Sequence, residues 1–236
     1  MSRWNFYKQN FLKNIDRNEN FLLISASVHE IKILQELGYS NFSITYHNKK
    51  ELKDFANYGF ELSKNLFEED VRNLSFDDQS FKYVITNATL HHVDQPHKAI
   101  TEMYRVAKKG VLIMESNDSL IMQIACKLKL AEEFEVSSVD VENKSGGLLD
   151  SGIPNYVYRF TEREIVKTLK SYDPSNNIYI NFNYANDLSN IKSNKIYFKI
   201  LFILAKIYFF IFRKQQNCLS IFIDKSKSKK RFNLKN

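Results

Sequence analysis

Cysteine, proline and glycine are all scarce in this chain of 236 residues, at two, three and six. The cysteines, Cys126 and Cys218, lie far apart, and neither has a second cysteine or a histidine beside it at ligand spacing. That excludes a disulfide framework and a cysteine-based zinc site. Few breakers mean few tight turns, which argues against an all-β sandwich or barrel. The polar start, from Met1 to Lys8, has no apolar signal core. Cytoplasmic residence is therefore the expectation.

Charge is present but localised. The formal net charge is +7, and Lys225, Lys227, Lys229, Lys230, Arg231 and Lys235 supply six positive charges in a final stretch with no acids. The body is close to neutral, so nucleic acid is not an expected partner. Residues 225–236 read as a solvated basic tail after a single domain at 1–224.

The apolar pattern alternates between two periods. Phe21 to Ile24 is a short continuous apolar run, as in a strand buried on both faces. Ile31, Leu34 and Leu37 follow at helical spacing, with Gly38 at the C-cap position. Phe42 to Tyr46 reads as a strand, and Asn48 as the N-cap of a helix carrying Leu52, Phe55 and Ala56. Tyr83 to Ile85 is a third apolar strand. Asp94 and Pro96 open a helix that Gly110 is expected to end, and Val111 to Met114 is the next strand. Such alternation predicts a parallel sheet covered by helices, with ligands bound at the strands' C-terminal edge. Further on, Leu120 to Phe134 reads as helix. Gly146, Gly147 and Gly152 mark a loop, and Thr161 to Glu164 forms a capping box. Ile178 to Asn183 and Asn217 to Ile223 read as strands.

One ordered string is more specific: Asp70, Leu74-Ser-Phe76, Asp78-Gln-Ser-Phe81, Tyr83 to Thr86, Leu90-His-His-Val93, Glu102, Arg105-Val106 and Val111 to Glu115. It resembles class I S-adenosylmethionine-dependent methyltransferases of the type 11 group. The resemblance implies a Rossmann-like seven-stranded sheet, parallel except for its last strand, with helices on both faces. It also implies S-adenosylmethionine as cofactor. Ser25, Ala26 and Ser27 would line the cofactor loop, Asp70 and Val71 would hold the adenine, and Asn87 would sit near the sulfonium. Tyr46 stands where the family places a ribose-binding acid. His91 or His92 could act as a base, since imidazole titrates near neutrality. Tyr156, Tyr158 and Arg159 would shape the acceptor pocket. No metal is expected, because two adjacent histidines without a third ligand nearby make a poor site.

The string departs from the family at the first loop, where Ser25, Ser27 and His29 replace glycines, and at the second strand, where Tyr46-His47 brings no carboxylate. If His29 and Tyr46 fill the crevice, the chain is a non-catalytic methyltransferase-fold protein serving as a membrane-associated or partner-binding domain. If the crevice stays open, it is an enzyme acting on a small-molecule or glycan/lipid-linked acceptor.

Residues 195–213 form the most apolar stretch, interrupted by Lys199 and Lys206. Spanning a bilayer would bury two lysines at about 2.5–3.5 kcal/mol each. Two readings remain: a helix lying in the inner membrane surface, or one packed on the sheet or a second subunit. The acceptor atom and the oligomeric state stay open at this point.

Overall fold

The computed structural model describes residues 1–47, 55, 64–187 and 196–231. Its elements run α1 (Arg3–Asn14), β1 (Phe21–Ile24), α2 (Val28–Glu36), β2 (Phe42–Tyr46), β3 (Leu66–Glu68), β4 (Phe81–Asn87), α3 (Pro96–Val106), β5 (Ala107–Ser116), α4 (Leu120–Lys127), α5 (Glu162–Tyr172), β6 (Asn176–Ala185), α6 (Ile196–Ile211) and β7 (Cys218–Lys230). The helix expected after Asn48 lies outside the described residues, apart from Phe55, which is buried in the core.

The seven strands form one sheet in the order β3-β2-β1-β4-β5-β7-β6. Strands β1 to β5 are parallel, and β7 runs antiparallel between β5 and β6. The expected Rossmann-like, mostly parallel sheet is thus present. Its core is split by the sheet. Phe21 and Leu23 face Tyr7, Phe11, Ile31 and Leu34 on one side, whereas Leu22 and Ile24 face Ala99, Ile100, Met103 and Ile165 on the other. That is why β1 is apolar at every position: side chains alternate, and both faces are covered.

Local signals hold at several boundaries. Gly38 takes a left-handed φ of 81° after α2, a conformation that glycine adopts without strain. Thr161 and Glu164 form the reciprocal capping box that opens α5. Three expectations need correction. Gly110 does not end a helix: α3 stops at Val106 and Gly110 lies inside β5. A Cβ there would sit 2.9 Å from the Ile223 carbonyl oxygen and 3.0 Å from the Phe222 ring, so the glycine serves a close approach of β7. The helix expected through Phe134 ends at Lys127. Lys129 adopts a φ of 55°, and the Leu130 amide turns back to the Ala125 carbonyl.

The basic stretch from 225 is not a free tail in its first half. β7 continues to Lys230, and its end pairs with the start of β6 beyond a register shift between Asn177 and Tyr179. Lys225 reaches back to the C-terminal end of α3. It donates to the carbonyls of Tyr104 at 2.8 Å and Ala107 at 2.6 Å, an arrangement the helix dipole favours.

Candidate active site

The sheet order reverses between β1 and β4, and the C-terminal ends of both strands open there into one crevice. In open α/β sheets this switch point is where ligands bind. A cavity of about 300 Å³ occupies it, at the small end of the range for ligand pockets. Ser25 and Thr45 border it from β1 and β2, and Glu69, Asp70 and Val71 from the turn after β3. Ala88, Thr89 and His92 come from the turn after β4, and Gly146, Gly147 and Asp150 from the glycine-rich loop.

The first loop adopts the backbone that glycines would provide. Ser25 takes a φ of 51° while its amide donates to the Thr45 carbonyl at 2.8 Å. Ser27 is not a pocket residue; it caps α2, exchanging hydrogen bonds with Glu30. His29 turns away from the crevice and meets the edge of Trp4, with ring centroids 4.5 Å apart. Tyr46 lines the crevice, and its hydroxyl donates to the Ala26 carbonyl. The crevice remains open beside it.

Asp70 is tightly held. The Arg72 guanidinium and the Arg72 amide both donate to its carboxylate, and Arg72 also reaches Asp94 at 2.6 Å. Hydrogen bonding from Arg72 keeps Asp70 below the usual carboxylate range, despite partial burial. Asp70 is therefore an ionised carboxylate fixed in the cavity wall by its guanidinium partner, with Glu69 as its neighbour.

Asn87 is brought elsewhere. Its amide donates to Glu30 at 3.2 Å beneath the first loop, and it does not line the main cavity. Burial raises the Glu30 pKa, against hydrogen bonds from Ser27 and Asn87 that lower it. Ala26, Ser27, Tyr156, Tyr158 and Arg159 also lie outside the cavity lining. The Tyr158 hydroxyl donates to Glu164, and Arg159 donates to the carbonyls of Val157 and Glu132. Of the expected site residues, Ser25, Tyr46, Asp70, Val71 and His92 share the crevice.

The two histidines sit in a single short helical turn, Leu90–His92, organised by one buried carboxylate. Glu115, at the end of β5, accepts the amides of Thr89 and Leu90 at 2.7 Å each with one oxygen. Its other oxygen lies 2.9 Å from His91 Nδ1. The opposite ring nitrogen of His91 faces Glu135 at 3.3 Å. Burial opposes charge on His91, yet the two carboxylates raise its pKa to about 9. His91 in turn lowers Glu135 to about 2 through a hydrogen bond and its charge. Burial would raise Glu115, but the charge of His91 and its hydrogen bonds hold it down. His92 is lowered by burial and by the neighbouring His91 charge. Its Nδ1 is 3.1 Å from Asn155 Oδ1, and its Nε2 is 3.8 Å from Glu135.

Sequence reading missed Glu135 and Asn155. They follow the histidines by more than forty residues, on irregular chain. An isolated bridge between Phe134 and Tyr156 holds them together, with the Glu135 amide donating to the Asn155 carbonyl at 3.0 Å. The absence of a third ligand, on which the expectation of no metal rested, is thereby corrected: Glu135 stands beside both rings.

Residues 28–114 match the family described as a methyltransferase domain. No curated protein sequence matches the chain. Among solved structures, the chain is similar to a SAM-dependent methyltransferase from Archaeoglobus fulgidus, with 14% identity over 94% of this chain and 93% of that one, at a TM-score of 0.57. A SAM-dependent methyltransferase from Methanosarcina mazei matches at 17% identity over 91% and 94%, with a TM-score of 0.52. One from Aquifex aeolicus matches at 11% over 94% and 89%, with a TM-score of 0.50. Likeness at such identities is likeness of fold. The fold is that of class I methyltransferases, the type 11 resemblance is supported by the match over 28–114, and the cofactor such domains use is S-adenosylmethionine.

Proposed function

We propose that this chain, with its class I methyltransferase fold, is an active S-adenosylmethionine-dependent methyltransferase whose acceptor is a small molecule or a glycan- or lipid-linked one. The observation that carries the reading is the open crevice at the switch point, bordered by Ser25 and by the fixed Asp70. A scaffold would not require that space, and His29, the bulkiest departure from the family's glycines, leaves it clear.

The donor set fits the cofactor. The carboxylate of Asp70 would supply an acceptor for a nucleoside's amine or hydroxyl groups, and Val71 adds an apolar wall. Ser25 and Ala88, both at positive φ and both small, allow close backbone approach. When bound, the cofactor supplies an electrophilic methyl group on a sulfonium. The chain's task is then alignment more than acid–base chemistry, since a positioned nucleophile accounts for much of such a rate. His92, lowered in pKa by burial and by the His91 charge, borders the cavity. With no ion bound, His91 is held charged between two carboxylates and cannot take up a further proton.

The lipid-linked option draws on an apolar face outside the crevice lining. No helix among the described residues is long and apolar enough to cross a membrane. On α6, however, Ile203, Leu204, Ile207, Phe210 and Ile211 are more than half exposed.

The reading is tested by incubating the protein and a cell extract with methyl-tritiated S-adenosylmethionine, then separating aqueous small molecules, organic-soluble material, protein and nucleic acid. Label in either of the first two fractions is expected. Label confined to protein or nucleic acid overturns the acceptor class, and label in no fraction overturns the activity.

A further inference from the structure

His91, His92 and Glu135 each offer one ligand atom, and these atoms all lie within 4.8 Å of one another. We propose that these three side chains form a mononuclear site for a divalent transition-metal ion of the zinc class, at the edge of the crevice.

The ligand set is one that imidazole-favouring divalent metals use: two histidines and one carboxylate, with coordination positions left open. The separations suit it. A tetrahedral ion with bonds of about 2.0–2.1 Å keeps its ligand atoms about 3.3–3.4 Å apart. One carboxylate oxygen of Glu135 lies 3.3 Å from the Nε2 of His91, and its other oxygen lies 3.8 Å from that of His92. The two nitrogens therefore flank one carboxylate, and an ion between them would draw the three ligand atoms, now within 4.8 Å of one another, closer together.

The supporting groups strengthen the case. A metal-bound histidine normally gives its other ring N–H to an acceptor, which fixes the tautomer and the ring plane. Both histidines have that acceptor in place. His91 Nδ1 is 2.9 Å from the fully buried Glu115 carboxylate, and His92 Nδ1 is 3.1 Å from Asn155 Oδ1. Each ring is thus anchored through Nδ1 and presents Nε2 to the same carboxylate. Asn155 also reaches the His91 carbonyl at 3.5 Å, so one side chain braces both histidines. A salt-bridge cluster alone would not need two rings anchored in this sense.

Access is one-sided. The His91 side chain is 6% exposed, Glu135 22% and His92 37%. The open coordination positions would face the side where His92 borders the cavity. The metal site stands on its own ligands. What it implies for the acceptor rests on the methyltransferase reading: a hydroxyl or carboxylate oxygen that completes the coordination.

The test uses tag-free full-length protein treated with chelator and then titrated with Co²⁺, with visible absorption as the readout. One equivalent should bind, with the d–d bands of four- or five-coordinate cobalt, and Zn²⁺ should displace it. His92→Ala and Glu135→Gln should abolish the bands with circular dichroism unchanged. Asn155→Ala should weaken binding about 10–100-fold. Should His92→Ala fail to fold, Glu135→Gln, on the more exposed segment, decides. Absence of a saturable single site, or equal binding by Glu135→Gln, would overturn the proposal and leave an internal ion cluster. Neither outcome depends on whether the nucleoside crevice binds cofactor.

Discussion

The carboxylate of the fully buried Glu115 lies 2.9 Å from Nδ1 of His91, and the same carboxylate closes the turn that carries the histidine. Both ends of the pair are therefore fixed by one group on β5. Removing one partner of a buried charged pair strands the other and costs about 3–5 kcal/mol. Glu115→Ala should lose stability of that order in urea unfolding. A loss under about 1 kcal/mol, typical of exposed pairs, would contradict the arrangement.

The cluster also sets a pH dependence, measured with chelator present. His91 titrates at about 9 when folded and near 6.5 when unfolded. A raised folded pKa means its stabilisation is complete below about 6.5 and is lost as pH rises through 9. Glu135 titrates at about 2 when folded against about 4.3 when unfolded, so its share is present above about 4.3 and lost as pH falls toward 2. Unfolding free energy should decline between pH 6.5 and 9, and His91→Asn should flatten that limb. An unchanged limb in the variant would assign the decline to another group.

Gly110→Ala tests the sheet. The added methyl would meet the Ile223 carbonyl at 2.9 Å, and the cost should be about 1–3 kcal/mol, as for overpacking elsewhere. Thermal unfolding reads it directly, and a neutral result would mean that β7 yields at no cost.

Serine in place of Ile207 or Phe210 should change unfolding free energy by no more than about 0.5 kcal/mol each, since both side chains are largely exposed. A loss of several kcal/mol would show that this face of α6 is packed.

Much of the fold is legible in the sequence, for physical reasons visible at single elements. β1 is apolar throughout because both its faces are covered, and α5 announces its start through Thr161 and Glu164. Asp70, Val71 and His92 are legible because they belong to one ordered string along consecutive strand ends. The meeting of Glu135 and Asn155 with the histidines is not, because irregular chain carries no period. His29 was equally opaque. Whether it blocks the crevice depends on Trp4, which α1 places beside it. Gly110 misleads for a related reason: a glycine needed for close strand approach looks, in sequence, like a helix end.

The crevice at the ends of β1 and β4 is proposed to hold S-adenosylmethionine. Calorimetric titration with S-adenosylhomocysteine tests it most directly, with Asp70→Ala as the comparison. Saturable binding in the micromolar range is expected, lost or much weakened when Asp70 is removed. A folded protein that binds no S-adenosylhomocysteine at millimolar concentration would contradict it.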